Sequence, residues 1–457
     1  MKHRQTASGW PQWPRAVAAA FVGSVLLAAA ACSGSAGKPA DAASPVDMAS
    51  ELNKPATLTF WSWVSNIDDE VKLFEQKYPK IKVKVVNAGQ PGDMYPKLRT
   101  AIKAGSGAPD VAQLEYQEIP SFTITKSLLD LTPYGANGVK DRFVPWAWNQ
   151  VSQGGKVYGI PQDTGPMGML YRKDIFDKYG IAVPKTWADF ASAAKKLHVA
   201  APNTYLTNLP PNNGVPFNGM MWQAGARPFT YSGGADISVR LNDTNSQKIA
   251  GYWSPLVKQG LVSSDPDFTD QWFHGLANGK YATWLTAAWG PMFLKGTAKQ
   301  TAGKWRAAPL PQWSAGQNVS ANWGGSASTV VRGTKYPAAA AALAEFLNTD
   351  AASTKTLATE QSLFPATTAL LADASFTGEK VPFYGGQTVN QVFADISKTV
   401  PTDFTWSPFQ DYVYQAYQDT VGKAVTGKTD MTAALAQWQQ TVTGYAQKQG
   451  FTVTGGN

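Results

Sequence analysis

Residues 156–190 read KVYGIPQDTGPMGMLYRKDIFDKYGIAVPKTWADF. Lys156 to Pro161 has the composition of a strand, and its proline ends regular pairing. A polar elbow follows, Gln162-Asp163-Thr164-Gly165, and then a second apolar run, Met167 to Tyr171. A short helix and the sequence Val183-Pro184-Lys185-Thr186-Trp187 lead into a further helix. Thr186 stands at the N-cap position with Asp189 three residues on, a shortened capping box. A polar elbow between two apolar strands suits a crossing between two bodies of the chain.

In its order of motifs (GIPxDTGPMxxxYRKDxFxKxGIxxPxTWxDF), this stretch resembles the extracellular solute-binding proteins of bacterial ABC importers. The similarity is to family 1, in the carbohydrate branch that includes maltose-binding protein. The resemblance implies that the stretch leaves a first lobe, crosses a hinge and enters a second lobe, with ligand contacts at the elbow.

On the N-terminal side, Lys2, Arg4 and Arg15 precede an apolar run from Ala16 to Ala31 that ends in small residues. The run is short for a membrane span and reads as a secretory signal over residues 1–31. It has no Arg-Arg pair, which favours general secretion over the twin-arginine route. Cys32, the single cysteine in 457 residues, follows directly. Two readings stand: a leftover thiol beside an ordinary cleavage site, and a resemblance to a bacterial lipobox, which implies that Cys32 is acylated. Acylation implies anchoring at the extracellular face of the cell membrane without spanning it. Residues 32–54, rich in Ala, Gly, Ser, Pro and Asp, read as a flexible tether.

About 400 residues remain, enough for two lobes rather than one core. The formal charge of +8 falls to +5 once the three basic residues of the leader are set aside. A spread excess of this size is no nucleic-acid footprint. From Ala56 the pattern is βαβαβ: strands near 57–61, 81–85 and 109–114, with helices between them. Sheets of this kind place ligands beyond the carboxyl ends of their strands. Those ends carry Trp61-Ser62-Trp63, Gly89-Gln90-Pro91-Gly92 and Glu115-Tyr116, and the resemblance implies ligand contacts on the same three loops.

Further on, Trp187 to Leu197 reads as a helix, and Asn242-Asp243-Thr244 caps another that stops at Gly260. The segments Met220–Ala226 and Asn278–Trp284 with Ala288–Pro291 resemble family blocks that supply aromatic residues to the cleft, and Asn322–Ser326 precedes a strand, Thr329 to Val331, and the helix Ala338 to Leu347. Ala308 to Pro311 is expected to return the chain to the first lobe. An aromatic segment, Phe404 to Tyr417, and an amphipathic helix, Thr432 to Gln449, close the chain.

Reactive constellations are few. The histidines are His3, His198 and His274, and neither HExxH, CxxC nor a P-loop occurs. Gly324 to Ser328 lacks the last glycine of a nucleophile elbow. Asp265, Asp267 and Asp270 lack the Gly and distal Glu of a calcium loop, so they read as a solvated loop ahead of a helix. Against this, 17 tryptophans stand out. An indole offers a flat apolar face to a pyranose and an N–H to a hydroxyl.

The residues expected at the ligand are Trp61, Trp63, Asn66, Gln90, Glu115, Tyr116, Asp163, Trp222, Trp289, Trp323, Gly325 and Trp406. Asp163 also suits a turn-former, and Glu115 a solvated loop acid. The expected fold is α/β, two-lobed with discontinuous lobes and a hinge. Lobe I takes 55–163 and 303–352, and lobe II takes 164–302 and 353–457. The expected function is delivery of a mono- or oligosaccharide to an ABC permease by a monomeric, lipid-anchored protein. No catalysis, cofactor, metal or nucleic acid is called for. The rival readings are a secreted, membrane-anchored carbohydrate-active enzyme, and a sugar sensor or adhesion lipoprotein without an importer.

Overall fold

A computed structural model describes residues 44–455; the expected signal, Cys32 and the first part of the tether lie outside them. The strands of two separate sheets organise the chain: β1 Ala56–Trp61, β2 Ile81–Val86, β3 Val111–Glu115, β4 Ile160–Pro161, β5 Met167–Arg172, β6 Thr283–Ala287, β7 Trp305–Pro309 and β8 Ser326–Val330. The first sheet has the order β2-β1-β3-β8-β4. β1 runs parallel to β2 and β3, and β8 runs antiparallel to β3 and β4. The second sheet is β6-β5-β7, with both outer strands antiparallel to β5.

Local rules account for most of the elements. Leu58 and Phe60 point into the core while Thr57 faces solvent, the alternation expected of a strand with one buried face. The helix Pro91–Ala104 begins with proline at its first position and ends at Gly105, whose φ of +66° is left-handed. At Trp187–Ala200 the capping box is complete: Thr186 Oγ1 accepts from the Asp189 N–H, and the Asp189 carboxylate accepts from the Thr186 N–H. Asp243 caps Thr244–Lys258 with one such bond, its Oδ1 accepting from the Ser246 N–H at 2.7 Å. Among the described residues no helix is long and apolar enough to cross a membrane.

Three segments join the two sheets side by side. The first is the elbow from Asp163 to Pro166. Its Gly165 N–H donates to Asn322 Oδ1 at 2.9 Å, and its Gly165 carbonyl accepts from the Trp323 N–H at 2.8 Å. The second is therefore Ala321 to Gly325. The third is Phe364-Pro365, paired to Asp163 and receiving the Thr164 N–H at 2.8 Å.

Three boundary expectations change. β7 pairs residue for residue with β5, so the chain returns to the first sheet only at Ser326, not near 303. Ala351–Thr359 packs on Asp68–Lys77 and Pro337–Thr349 of the first sheet's layer, which moves the last crossing from about 352 to about 364. The end of the tether is also bound: the Val46 N–H donates to the Pro133 carbonyl at 2.9 Å, and the one-turn helix Met48–Glu51 packs on Pro337–Thr349. In each case an apolar strip or a free backbone donor found a distant partner that local composition does not reveal.

Candidate functional site

The floor of the site is a relay of buried hydrogen bonds. Ser62 Oγ donates to Gln113 Oε1 at 2.7 Å, and Gln113 Nε2 donates to Ser326 Oγ at 2.9 Å. Both the hydroxyl and the backbone N–H of Ser326 donate to Asp163 Oδ1. The ends of β1, β3 and β8 are thereby tied to the first crossing. Burial pushes the Asp163 carboxyl up to about 6 in spite of these donors. Tyr116 is fully buried and its hydroxyl donates to the Asp163 carbonyl at 2.9 Å. Gly325, at φ +83°, lets the backbone pass there: a Cβ would stand 2.8 Å from both that carbonyl and the Tyr116 ring. Asp163 is thus a joint of the crossing as well as a polar group at its surface.

One wall comes from the helix Pro91–Ala104. Tyr95 accepts the Glu115 N–H and donates its hydroxyl to Glu115 Oε2, both at 3.1 Å. Trp63 meets the Tyr95 ring edge-on, with centroids 6.2 Å apart. Burial raises the Glu115 carboxyl to about 7. Glu118, also raised by burial, accepts from Arg99 at 2.7 Å, and Asp411 reaches the same guanidinium at 3.5 Å.

A polar cluster near Glu115 was largely missed by sequence reasoning. Tyr414, on the helix Gln410–Tyr417, lies close enough to Glu115 and Glu118 for both to raise its pKa, after burial itself. The amides of Gln410 and Asn218 adjoin its hydroxyl. Even so, Tyr414 Oη, Gln410 Nε2 and both amide atoms of Asn218 are buried without a hydrogen-bond partner among the described residues. Buried polar atoms left unpaired are uncommon and costly, so a cluster of them marks a place for outside donors and acceptors. The signal was available in part: Gln410 and Tyr414 are one helical turn apart, and Asn218 is a lone amide in an apolar segment.

The tryptophans divide. Trp289, half-buried, donates its indole N–H to the Trp323 carbonyl at 2.9 Å, and the rings meet edge to face with centroids 4.9 Å apart. Trp284 and Phe268 complete this group. Trp222 is a correction. It is fully buried, stacked on Phe404 at 4.3 Å and 8°, and bonded through its N–H to the Pro401 carbonyl, so its ring is core. Trp406 packs edge-on against Trp222 and is buried, but its indole N–H has no partner among the described residues.

Trp61 ends β1, half-buried, in register with Val86 and Ala112. Asn66 and Gln90 are exposed. The Asn66 carbonyl accepts from Gln361, and Gln90 precedes its helix without a side-chain cap. Hydrogen bonds and ring contacts therefore link Trp63, Glu115, Tyr116, Asp163, Gly325, Trp289 and Trp323 at the ends of the crossings, and leave Asn66 and Gln90 at the periphery. Among the described residues no three His, Cys, Asp or Glu side chains gather as a metal site.

Residues 61–354 match the family model of bacterial extracellular solute-binding proteins. An arabinooligosaccharide-binding protein of Halalkalibacterium halodurans is 26% identical over 294 residues, covering 63% of this chain and 66% of that protein; the match thus spans just under two thirds of the curated relative. The ABC transporter-associated binding protein of B. animalis subsp. lactis, solved with β-1,6-galactobiose, is 33% identical with a TM-score of 0.75, covering 88% of this chain and 100% of that one. The galacto-N-biose/lacto-N-biose I-binding protein of Bifidobacterium longum, solved with lacto-N-biose, is 26% identical with a TM-score of 0.76, covering 88% and 99%. The fold is accordingly α/β and two-lobed, and the chain belongs to the bacterial extracellular solute-binding protein family.

Proposed function

We propose that this protein captures a neutral mono- or oligosaccharide at the cell surface and delivers it to an ABC permease. The observation that carries the reading is the cluster of buried polar atoms on Asn218, Gln410 and Tyr414 without partners among the described residues, with Glu115 near Tyr414. Sugar hydroxyls both donate and accept, so one ring satisfies amide, phenol and carboxylate together. The indoles of Trp63 and Trp289 offer flat faces for the C–H side of a ring. The sugars bound by the structural neighbours favour the same chemistry.

In this reading the first lobe takes residues 55–163 and 326 to about 363, and the second takes 164–325 and about 364–455. The three crossings act as a hinge. Ligand contacting both lobes stabilises the closed state by its differential contacts, and the permease reads that state. The carboxyls of Glu115 and Asp163 serve as hydrogen-bonding groups, and the protein breaks no bond. It works as a monomer held at the extracellular face by lipid on Cys32.

A thermal-shift screen of the mature protein against galacto- and arabino-oligosaccharides tests the reading. A ligand at about 100 times its Kd adds roughly 2.7 kcal/mol of stability. Small-angle scattering on the best ligand should show a smaller radius of gyration. A screen in which no saccharide raises the melting temperature sinks the proposal.

A further inference from the structure

Phe268 is an aromatic residue with φ of +55°, in the left-handed region that non-glycine residues seldom adopt. Its side chain is also 40% exposed, so core burial does not account for the strain. The conformation is imposed from both sides. Before it, Asp267 is clamped: its N–H donates to Asn212 Oδ1 at 3.0 Å, its carbonyl accepts from Asn212 Nδ2 at 3.3 Å, and its Oδ2 accepts from Asn213 at 2.9 Å. After it, Thr269 caps the helix Asp270–Asn278 by accepting from the Trp272 N–H at 3.1 Å. Strain held by neighbours on each side is characteristic of functional positions.

The ring this turn displays continues the aromatic wall of the site. Its centroid lies 6.1 Å from Trp289 and 6.2 Å from Trp323, the pair joined by the indole hydrogen bond across the second crossing. Phe293, also exposed, stands 6.3 Å away and itself meets Trp289 with centroids 5.5 Å apart. Asp267, the residue before it, is only 3% exposed, and its Oδ1 has no hydrogen-bond partner among the described residues. An exposed apolar ring at the edge of this aromatic group suits the C–H face of a sugar unit.

We propose that Phe268 is a specificity residue, the outer platform on which a second sugar unit stacks beyond Trp289, so that the site selects oligosaccharides over monosaccharides. The inference rests on the saccharide-binding reading. Phe268→Asn is the informative variant, because asparagine accepts left-handed backbone and removes the ring. Phe268→Tyr keeps the ring.

Calorimetric titration of the wild type and both variants uses β-1,6-galactobiose, arabinotriose, galactose and arabinose, well below the melting temperature. For whichever oligosaccharide the wild type binds, Phe268→Asn should weaken Kd by about tenfold or more, as for loss of a hot-spot aromatic. Phe268→Tyr should stay near wild type, and any monosaccharide affinity should be unchanged. Phe268→Asn should melt at or above the wild-type temperature, since the strain is relieved. Equal oligosaccharide affinity in the wild type and Phe268→Asn overturns this inference and leaves the saccharide reading standing. A wild type that binds none of the sugars overturns both.

Discussion

Gly165 and Trp323 approach so closely that a Cβ on Gly165 would lie 1.9 Å from the Trp323 carbonyl oxygen. Neither partner is free to withdraw, because the Trp323 N–H donates to the Gly165 carbonyl and the Gly165 N–H donates to Asn322. Two of the three crossings are thereby held at backbone contact.

Gly165→Ala should therefore lower stability by about 3 kcal/mol, the upper end of the overpacking range, because backbone rather than a flexible side chain must move. Gly251→Ala is the control. It sits in the helix Thr244–Lys258 with nothing within 4 Å of the new Cβ, and should be neutral or stabilising by up to about 1 kcal/mol. Denaturant melts of the two variants separate a special site from a general glycine effect.

Trp289→Ala and Trp187→Ala should fail in different ways. Trp289 is half-buried beside the second crossing, and its loss should weaken sugar binding by roughly 2 kcal/mol, about thirtyfold, with a modest change in melting. Trp187 is 2% exposed, packed edge-on against Phe190 and Trp253, with its N–H on Gln223. Its loss should lower stability by about 3–5 kcal/mol and leave the affinity of the folded fraction nearly intact. Titration calorimetry beside melting curves reads both; wild-type affinity in Trp289→Ala would make that ring a packing residue.

Stability should fall as pH rises from 5 to 8. Burial lifts Glu115 to about 7 and Asp163 to about 6, and raises Glu118 as well. A carboxyl raised on folding binds more protons in the folded state. Its contribution is present below the ordinary carboxylate range and is lost as pH climbs through the folded value. Each such proton changes stability by at most about 1.4 kcal/mol per pH unit. Glu115→Gln should flatten the fall in melting temperature across this window; an unchanged slope would mean Glu115 is ionised throughout.

Cys32→Ala should release the protein from the membrane fraction with its melting temperature and ligand affinity unchanged. Fractionation in high salt is the appropriate assay, since a mild basic excess binds anionic lipid loosely. Retention of the variant under those conditions would require a different anchor.

Much of the architecture was legible because it follows from neighbours in the chain. The Thr186–Asp189 capping box and the Asp243 cap are local hydrogen-bond rules, and each stands where its spacing put it. The βαβαβ opening is equally local, as a matter of period. The motif order around Asp163 sufficed for the family. What only tertiary structure decided is which side chain meets which across long separations. Trp222 and Trp289 are alike as sequence, each an indole in an apolar segment. One is core because Phe404 covers its face, and the other stays half-open because Trp323 offers a carbonyl to its edge. Likewise β7 joined the second sheet by pairing along β5, and Tyr414 came close to Glu115 although the two are far apart in the chain. Burial and pairing belong to the contact between segments, and no segment carries them alone.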